Sequence, residues 1–237
     1  MFSYYANPAR FRRLANAIMP WAVGLSALFF AIGLYSALFA SPPDYQQSET
    51  VRIMYVHVPA AWMALFVYAS MAVAAFTALI WRHTLAELYT LAAAPIGAVF
   101  TALCLVTGML WGEPMWGTWW VWDARLTSVL VLFFIYAGYL ILVHAFDDRS
   151  RGLRSGAVLI LIGVVNLPII KFSVDWWNTL HQQASVTRFD TPALHPAILT
   201  PLLWMAAAYT ALFVVFVLWR MRAELAAQKL RVARATT

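Results

Sequence analysis

Six stretches free of Asp, Glu, Lys and Arg, each long enough to cross a bilayer, dictate what this 237-residue chain can become. They run from Leu14 to Pro43, Ile53 to Trp81, Leu88 to Gly112, Leu126 to Phe146, Ser155 to Ile170 and Thr191 to Trp219. A span needs ~20 apolar residues, and inside lipid the backbone must satisfy its own hydrogen bonds, which favours helices. With 63% hydrophobic and 11% charged residues, a water-soluble fold is excluded by composition. The reading is an all-α membrane protein of about six transmembrane helices, a single polytopic domain over residues 1–237. The fifth stretch is the shortest; Lys171 can snorkel and let the helix run on through Phe172 to Val174. Asn166 and Pro168 predict a kink near one end of it, and a re-entrant fifth segment would leave five spans. The apolar stretch after Arg13 is too long for the core of a cleavable signal, so it is expected to stay in the mature protein.

Positive charge sets the orientation. Twelve of the sixteen Lys and Arg residues fall on one side of the spans, and Arg52, Arg125, Lys171 and Arg188 on the other. Both termini are then cytoplasmic. The outer loops carry a tryptophan-rich segment at 113–128 and a histidine-bearing loop at 174–196. The net charge of +6 is mostly this sorting signal plus a basic tail at 220–237 that suits anionic headgroups, which argues against nucleic acid as a partner. There is no phosphate-binding G-x-x-x-x-G-K-[ST] sequence, so any ATP-derived energy must come from another protein. The lone Cys104 lies within an apolar run and reads as a small buried hydrophobe, and no Cys-x-x-Cys-His is present to tether a haem covalently.

Chemistry concentrates on the outer side. The segment from Trp111 to Arg125 holds five tryptophans in fifteen residues, beside Asp123 and Arg125. An aromatic belt explains one or two tryptophans per helix end. It explains Trp116, Trp119, Trp120 and Trp122 together less well. Were the stretch helical, these side chains would share a face and form a shelf for a large planar ligand. His57, His181 and His195 lie on this side, His83 and His144 on the other; spacing does not choose which two of the three would pair on a metal. The outer cations stand against the orientation bias. They suit carboxylates of a ligand such as haem propionates, or ion pairs with Asp44, Glu49, Glu113, Asp123, Asp175 or Asp190.

The stretch WGTWWVWDARLTS, Trp116 to Ser128, resembles the tryptophan-rich signature of the haem-handling proteins, and within them the CcmC family of bacterial cytochrome c maturation. Similar to that family as well are YVHVPAAW at Tyr55 to Trp62, PIGAVF at Pro95 to Phe100, HAFDDR at His144 to Arg149, GVVNLPII at Gly163 to Ile170 and WWNTLHQ at Trp176 to Gln182. The resemblance implies haem b bound at the periplasmic face of the bacterial inner membrane, and its delivery to a periplasmic haem chaperone (CcmE-like). It implies His57 and His181 as axial ligands of the haem iron. Trp116, Trp119, Trp120, Trp122, Asp123 and Arg125 become haem-binding residues, and His195 matches no motif. The implied complex adds a single-span small subunit (CcmD-like) and an ATP-driven transporter pair (CcmA- and CcmB-like). A haem-lyase-like transfer would then proceed without a conventional catalytic motif, so no catalytic residue is assigned.

Two other classes fit less well. An electron-transfer cytochrome b needs histidine pairs within its helices, and here histidines sit at helix ends. A haem permease needs polar midplane residues, and Thr101, Thr107 and Asn166 are few.

Overall fold

The structure, a computed structural model, describes residues 7–182, 186, 191 and 193–235. Among them six helical segments are long and apolar enough to cross a membrane, and the expected all-α fold is observed. Helix α1 is Pro8–Tyr35, extended by a π-helical turn, Ser36–Ala40; a 3-10 turn, Glu49–Ile53, leads into α2, Met54–Trp81. Then follow α3, Thr84–Trp116; α4, Ala124–Leu142; α5, Arg149–Gly163; α6, Asn166–Trp176; and α7, Pro196–Ala235.

Side-chain caps open these helices where the sequence supplies them, because the first N–H groups have no helical acceptor. Asn7 accepts from Ala9 N at 2.8 Å, Asp123 from Leu126 N at 2.7 Å and Asp148 from Ser150 N at 2.8 Å. The fifth span is one path of 28 residues, Arg149–Trp176, broken into α5 and α6. Pro168 has no N–H for the carbonyl of Val164; Leu167 N takes that carbonyl instead at 3.0 Å. The kink expected from Asn166 and Pro168 is thus a break well inside the span, and the helix does run on past Lys171. Asn166 Nδ2 donates to Ser128 O at 2.8 Å and fixes α6 against α4.

Helices α2 and α3 form the centre; α7 packs on both and carries α1 on its outer side, while α4, α5 and α6 close the other flank. Tyrosine hydroxyls pin neighbouring helices, each being a large apolar body with one donor to place. Tyr68 donates to Ile160 O and Tyr136 to Ala64 O, both at 2.9 Å, and Tyr139 donates to Thr90 Oγ1 at 2.9 Å. The ring of Tyr136, fully buried, lies against Gly97, where a Cβ would run into it. Gly97→Ala is therefore expected to cost about 2–4 kcal/mol, overpacking plus a strained hydrogen bond. Gly24→Ala, with nothing near the added methyl, is expected to change little. Thermal unfolding of the two detergent-purified variants beside the parent measures this; equal melting temperatures for all three would contradict it.

Candidate functional site

One end of the bundle gathers three connecting segments: residues 41–53, 117–123 and 177–182. At the other end Arg149 pairs with Glu224 at 3.3 Å, and Arg82, Glu87 and Arg154 line a second pocket.

His57 occupies the first turn of α2 and is buried. Its Nδ1 stands 3.0 Å from Cys104 O and 3.1 Å from Thr107 Oγ1, both on α3. Thr107 spends its own proton on Leu103 O at 2.6 Å. Nδ1 of His57 is therefore the protonated nitrogen, donating to acceptors, and Nε2 carries the free lone pair. Gly108 lets α3 approach, since a methyl there would reach 3.0 Å from Cε1 of His57. Cys104 is buried as expected, and contributes its carbonyl.

His181 comes from the segment after α6. Its ring centre is 6.4 Å from that of His57, with the planes at 30°. Two imidazoles bound in line to one metal ion would place their ring centres roughly 6.3 Å apart, given ~2 Å metal–nitrogen bonds. The observed separation matches that arrangement. Burial, reinforced by the nearby Arg125 charge, pushes the pKa of His181 below its ordinary value, which keeps the ring neutral and its lone pair available. No cluster of three or more His, Cys, Asp or Glu suited to a metal exists among the described residues.

Both histidines line a cavity of about 270 Å³ whose walls include Met54, Trp62, Met109, Trp116 and Trp120, with Arg125 and Lys171 on its rim. Trp111 meets His57 edge-on at 5.7 Å, and Trp116 meets His181 edge-on at 6.1 Å. Trp111 Nε1 donates to Gln47 Oε1 at 3.1 Å, fastening the first segment to the site.

The tryptophan-rich stretch is not helical, which corrects the shared-face arrangement. Gly117, at φ 73°, ends α3, and irregular backbone follows to Asp123. That backbone separates the tryptophans. Trp116 and Trp120 line the cavity, whereas Trp119 and Trp122 are 53% and 75% exposed and do not. Trp122 rests edge-on against Trp120 at 5.4 Å.

Arg125 and Asp123 do not form a direct ion pair among the described residues. The guanidinium is held by α6, with Nε donating to Ser173 Oγ at 3.3 Å and Nη2 to Ile170 O and Lys171 O at 3.3 and 3.2 Å. Asp123 is buried behind the cavity wall: Oδ1 caps α4, and Oδ2 accepts from the hydroxyl of Thr179. Arg52 pairs with Glu49 at 2.5 Å and donates to Ala37 O at 2.6 Å, so it braces the end of the first span. Arg188 and Asp190 lie outside the described residues. His83 and His195 cap α3 and α7, each accepting a backbone N–H at 3.3 Å, and His144 is exposed between α4 and α5. Sequence reasoning missed Thr107, Thr179 and Gln47 as neighbours of the site, none of which stands in a pattern that betrays a cross-chain contact, whereas Lys171, one of the four outer cations, does line the cavity.

A family model described as "Heme exporter protein C" matches residues 1–236. The "Heme exporter protein C" of Bradyrhizobium diazoefficiens is 54% identical over 226 residues, covering 95% of this chain and 86% of that protein. Its namesake in Escherichia coli K12 is 50% identical over 217 residues, 92% and 87% of the two chains. A ccmC-like mitochondrial protein of Marchantia polymorpha, named for cytochrome c biosynthesis, is 48% identical over 194 residues, 82% of each. A match along nearly the whole length, on a bundle that brings the two motif histidines together, leaves one conclusion: the chain belongs to the heme exporter protein C family.

Proposed function

We propose that this protein binds haem b at the outer face of the bacterial inner membrane and delivers it to a periplasmic haem chaperone during cytochrome c biogenesis. The observation that carries the reading is the pair of imidazoles, 6.4 Å apart, on a cavity that tryptophans help to wall. Its support from relatives is their naming for haem export and, in one case, for cytochrome c biosynthesis.

Haem here is cargo. His57 and His181 would hold its iron, Trp116 and Trp120 would face the macrocycle, and Arg125 and Lys171 on the rim would meet its propionates. The cavity falls just below the roughly 300–1,000 Å³ of pockets that enclose a whole ligand, so a seated porphyrin projects beyond it. Trp119 and Trp122, exposed on the same loop as Trp120, would be within reach of a chaperone that approaches the haem edge. The small single-span subunit and the ATP-driven transporter pair supply what this chain does not carry, including energy. Thr101, Thr107 and Asn166 all spend their side chains on backbone carbonyls, which leaves a permease path through the midplane without support.

The test is the visible spectrum of the purified protein loaded with haem, taken alone and after adding the chaperone. Delivery predicts a low-spin, bis-histidine spectrum that declines as haem appears on the chaperone. A low-spin spectrum that persists unchanged would favour an electron-transfer cytochrome, and failure to bind haem would remove the reading altogether.

A further inference from the structure

The two histidines are held very differently. His57 sits in a buried helical turn, with its Nδ1 fixed by backbone and side-chain acceptors of α3. His181 has no helix beneath it. After Trp177 N bonds to Ser173 O at 3.0 Å, the chain leaves α6, and among the described residues the ring nitrogen Nδ1 of His181 meets its neighbour's carbonyl, Gln182 O, at 3.3 Å. The backbone N–H of His181, however, donates to Thr179 Oγ1 at 3.0 Å. The same hydroxyl gives its proton to Asp123 Oδ2. Asp123 is itself buried and caps α4 through Oδ1.

Resting on the haem-binding reading above, we propose that Asp123 and Thr179 form a latch that positions His181 for axial ligation, so that the tryptophan loop and the second iron ligand move as one unit. Neither residue lines the cavity, so both are positioning residues. The hydroxyl must donate and accept at once, and its acceptor is a carboxylate, which makes the hydrogen bond charge-assisted and strong. Asp123 is the last residue of the loop that bears Trp119 and Trp122. Force applied to that loop therefore reaches His181 through one shared hydroxyl, while the grip of His57 is untouched. The latch makes His181 the ligand that is let go.

The experiment uses the full chain, purified in detergent, with Thr179→Val, Thr179→Ser, Asp123→Asn and His181→Ala. Valine keeps the shape and removes the hydroxyl; serine keeps the hydroxyl. Two readouts are taken: the low-spin fraction of bound haem, with and without added imidazole, and amide hydrogen exchange at residues 177–182 in the haem-free protein. Loss of a charge-assisted hydrogen bond shifts such an equilibrium by about tenfold to a hundredfold. Thr179→Val is expected to move the spectrum towards that of His181→Ala while keeping haem on His57, to regain the low-spin form with imidazole, and to speed exchange at His181 by a similar factor. Thr179→Ser is expected to match the parent in both readouts.

Asp123→Asn retains an oxygen to cap α4 but cannot accept from Thr179 at the other position, so it should loosen His181 partially. Adding Thr179→Val to it should then cost little more, as expected of two residues in one linkage. Parent-like spectra and exchange in Thr179→Val, or fully additive losses in the double variant, would overturn the latch. If His181→Ala itself leaves the spectrum unchanged, the haem assignment fails instead; the exchange readout still decides whether Thr179 holds the turn.

Discussion

Replacing His57 by alanine is expected to strip haem from the protein, and replacing His181 is expected to leave weakened, high-spin haem behind. The asymmetry follows from burial: His57 would provide a ligand that helix α2 and its α3 acceptors hold in place, whereas His181 arrives on an irregular segment. Losing a hydrogen-bond partner behind a metal ligand already costs about 10–100-fold in affinity, and losing the ligand itself should cost at least that. His83→Ala and His195→Ala provide the contrast. Their side chains cap α3 and α7, so their loss should cost about 0.5–2 kcal/mol of stability and leave the spectrum unchanged. Haem content per protein and the visible spectrum of the four variants decide the matter. Low-spin, fully loaded protein from both His57→Ala and His181→Ala would overturn the assignment.

Trp119→Ala is expected to separate holding haem from handing it over. The ring is half exposed and outside the cavity, so it adds little to retention; one aromatic contact is worth roughly 0.5–1.5 kcal/mol, about tenfold in affinity at most. Placement of a reacting edge is less forgiving, since a shift of ~1 Å can cost about a hundredfold in rate. Trp119→Ala should thus keep its histidine-ligated haem while covalent haem on the chaperone falls by one to two orders of magnitude. Trp122→Ala should do the same, with some loss of retention because Trp122 buttresses Trp120. The paired measurement is haem per purified complex by absorption, and chaperone-bound haem by staining after denaturing electrophoresis. Proportional decline of both signals would assign the tryptophans to retention. Decline of neither would make the segment a membrane-interface belt.

The spans were legible because lipid leaves few choices: uncharged runs of sufficient length must be helices. The broken fifth span was legible too, since Pro168 removes a donor wherever it sits. What hydropathy did not reveal was how the tryptophans are distributed. Gly117 carried the signal, a glycine at the position where helices commonly end in a left-handed residue, and it outweighs the helical spacing of the tryptophans beyond it. The histidine pair was legible only through motif resemblance, because spacing left His57, His181 and His195 equivalent. His195 turned out to cap a helix. The partners of Arg125 and Asp123 were not legible at all: each bonds to residues about fifty positions away, and only the packing of α4 against α6 decides that Arg125 meets α6 carbonyls.

The distance between the two histidines along the chain sets a schedule for synthesis. His57 opens the second span, and His181 follows it by 124 residues, after the fifth span is complete. At about 5–20 residues per second, a ribosome needs roughly 6–25 s to add the second imidazole once the first has been made. Throughout that interval the nascent protein lacks the second imidazole, and α7 is still to be made. Ile198 and Leu202 of α7 line the cavity, so its wall is completed only when the last span inserts.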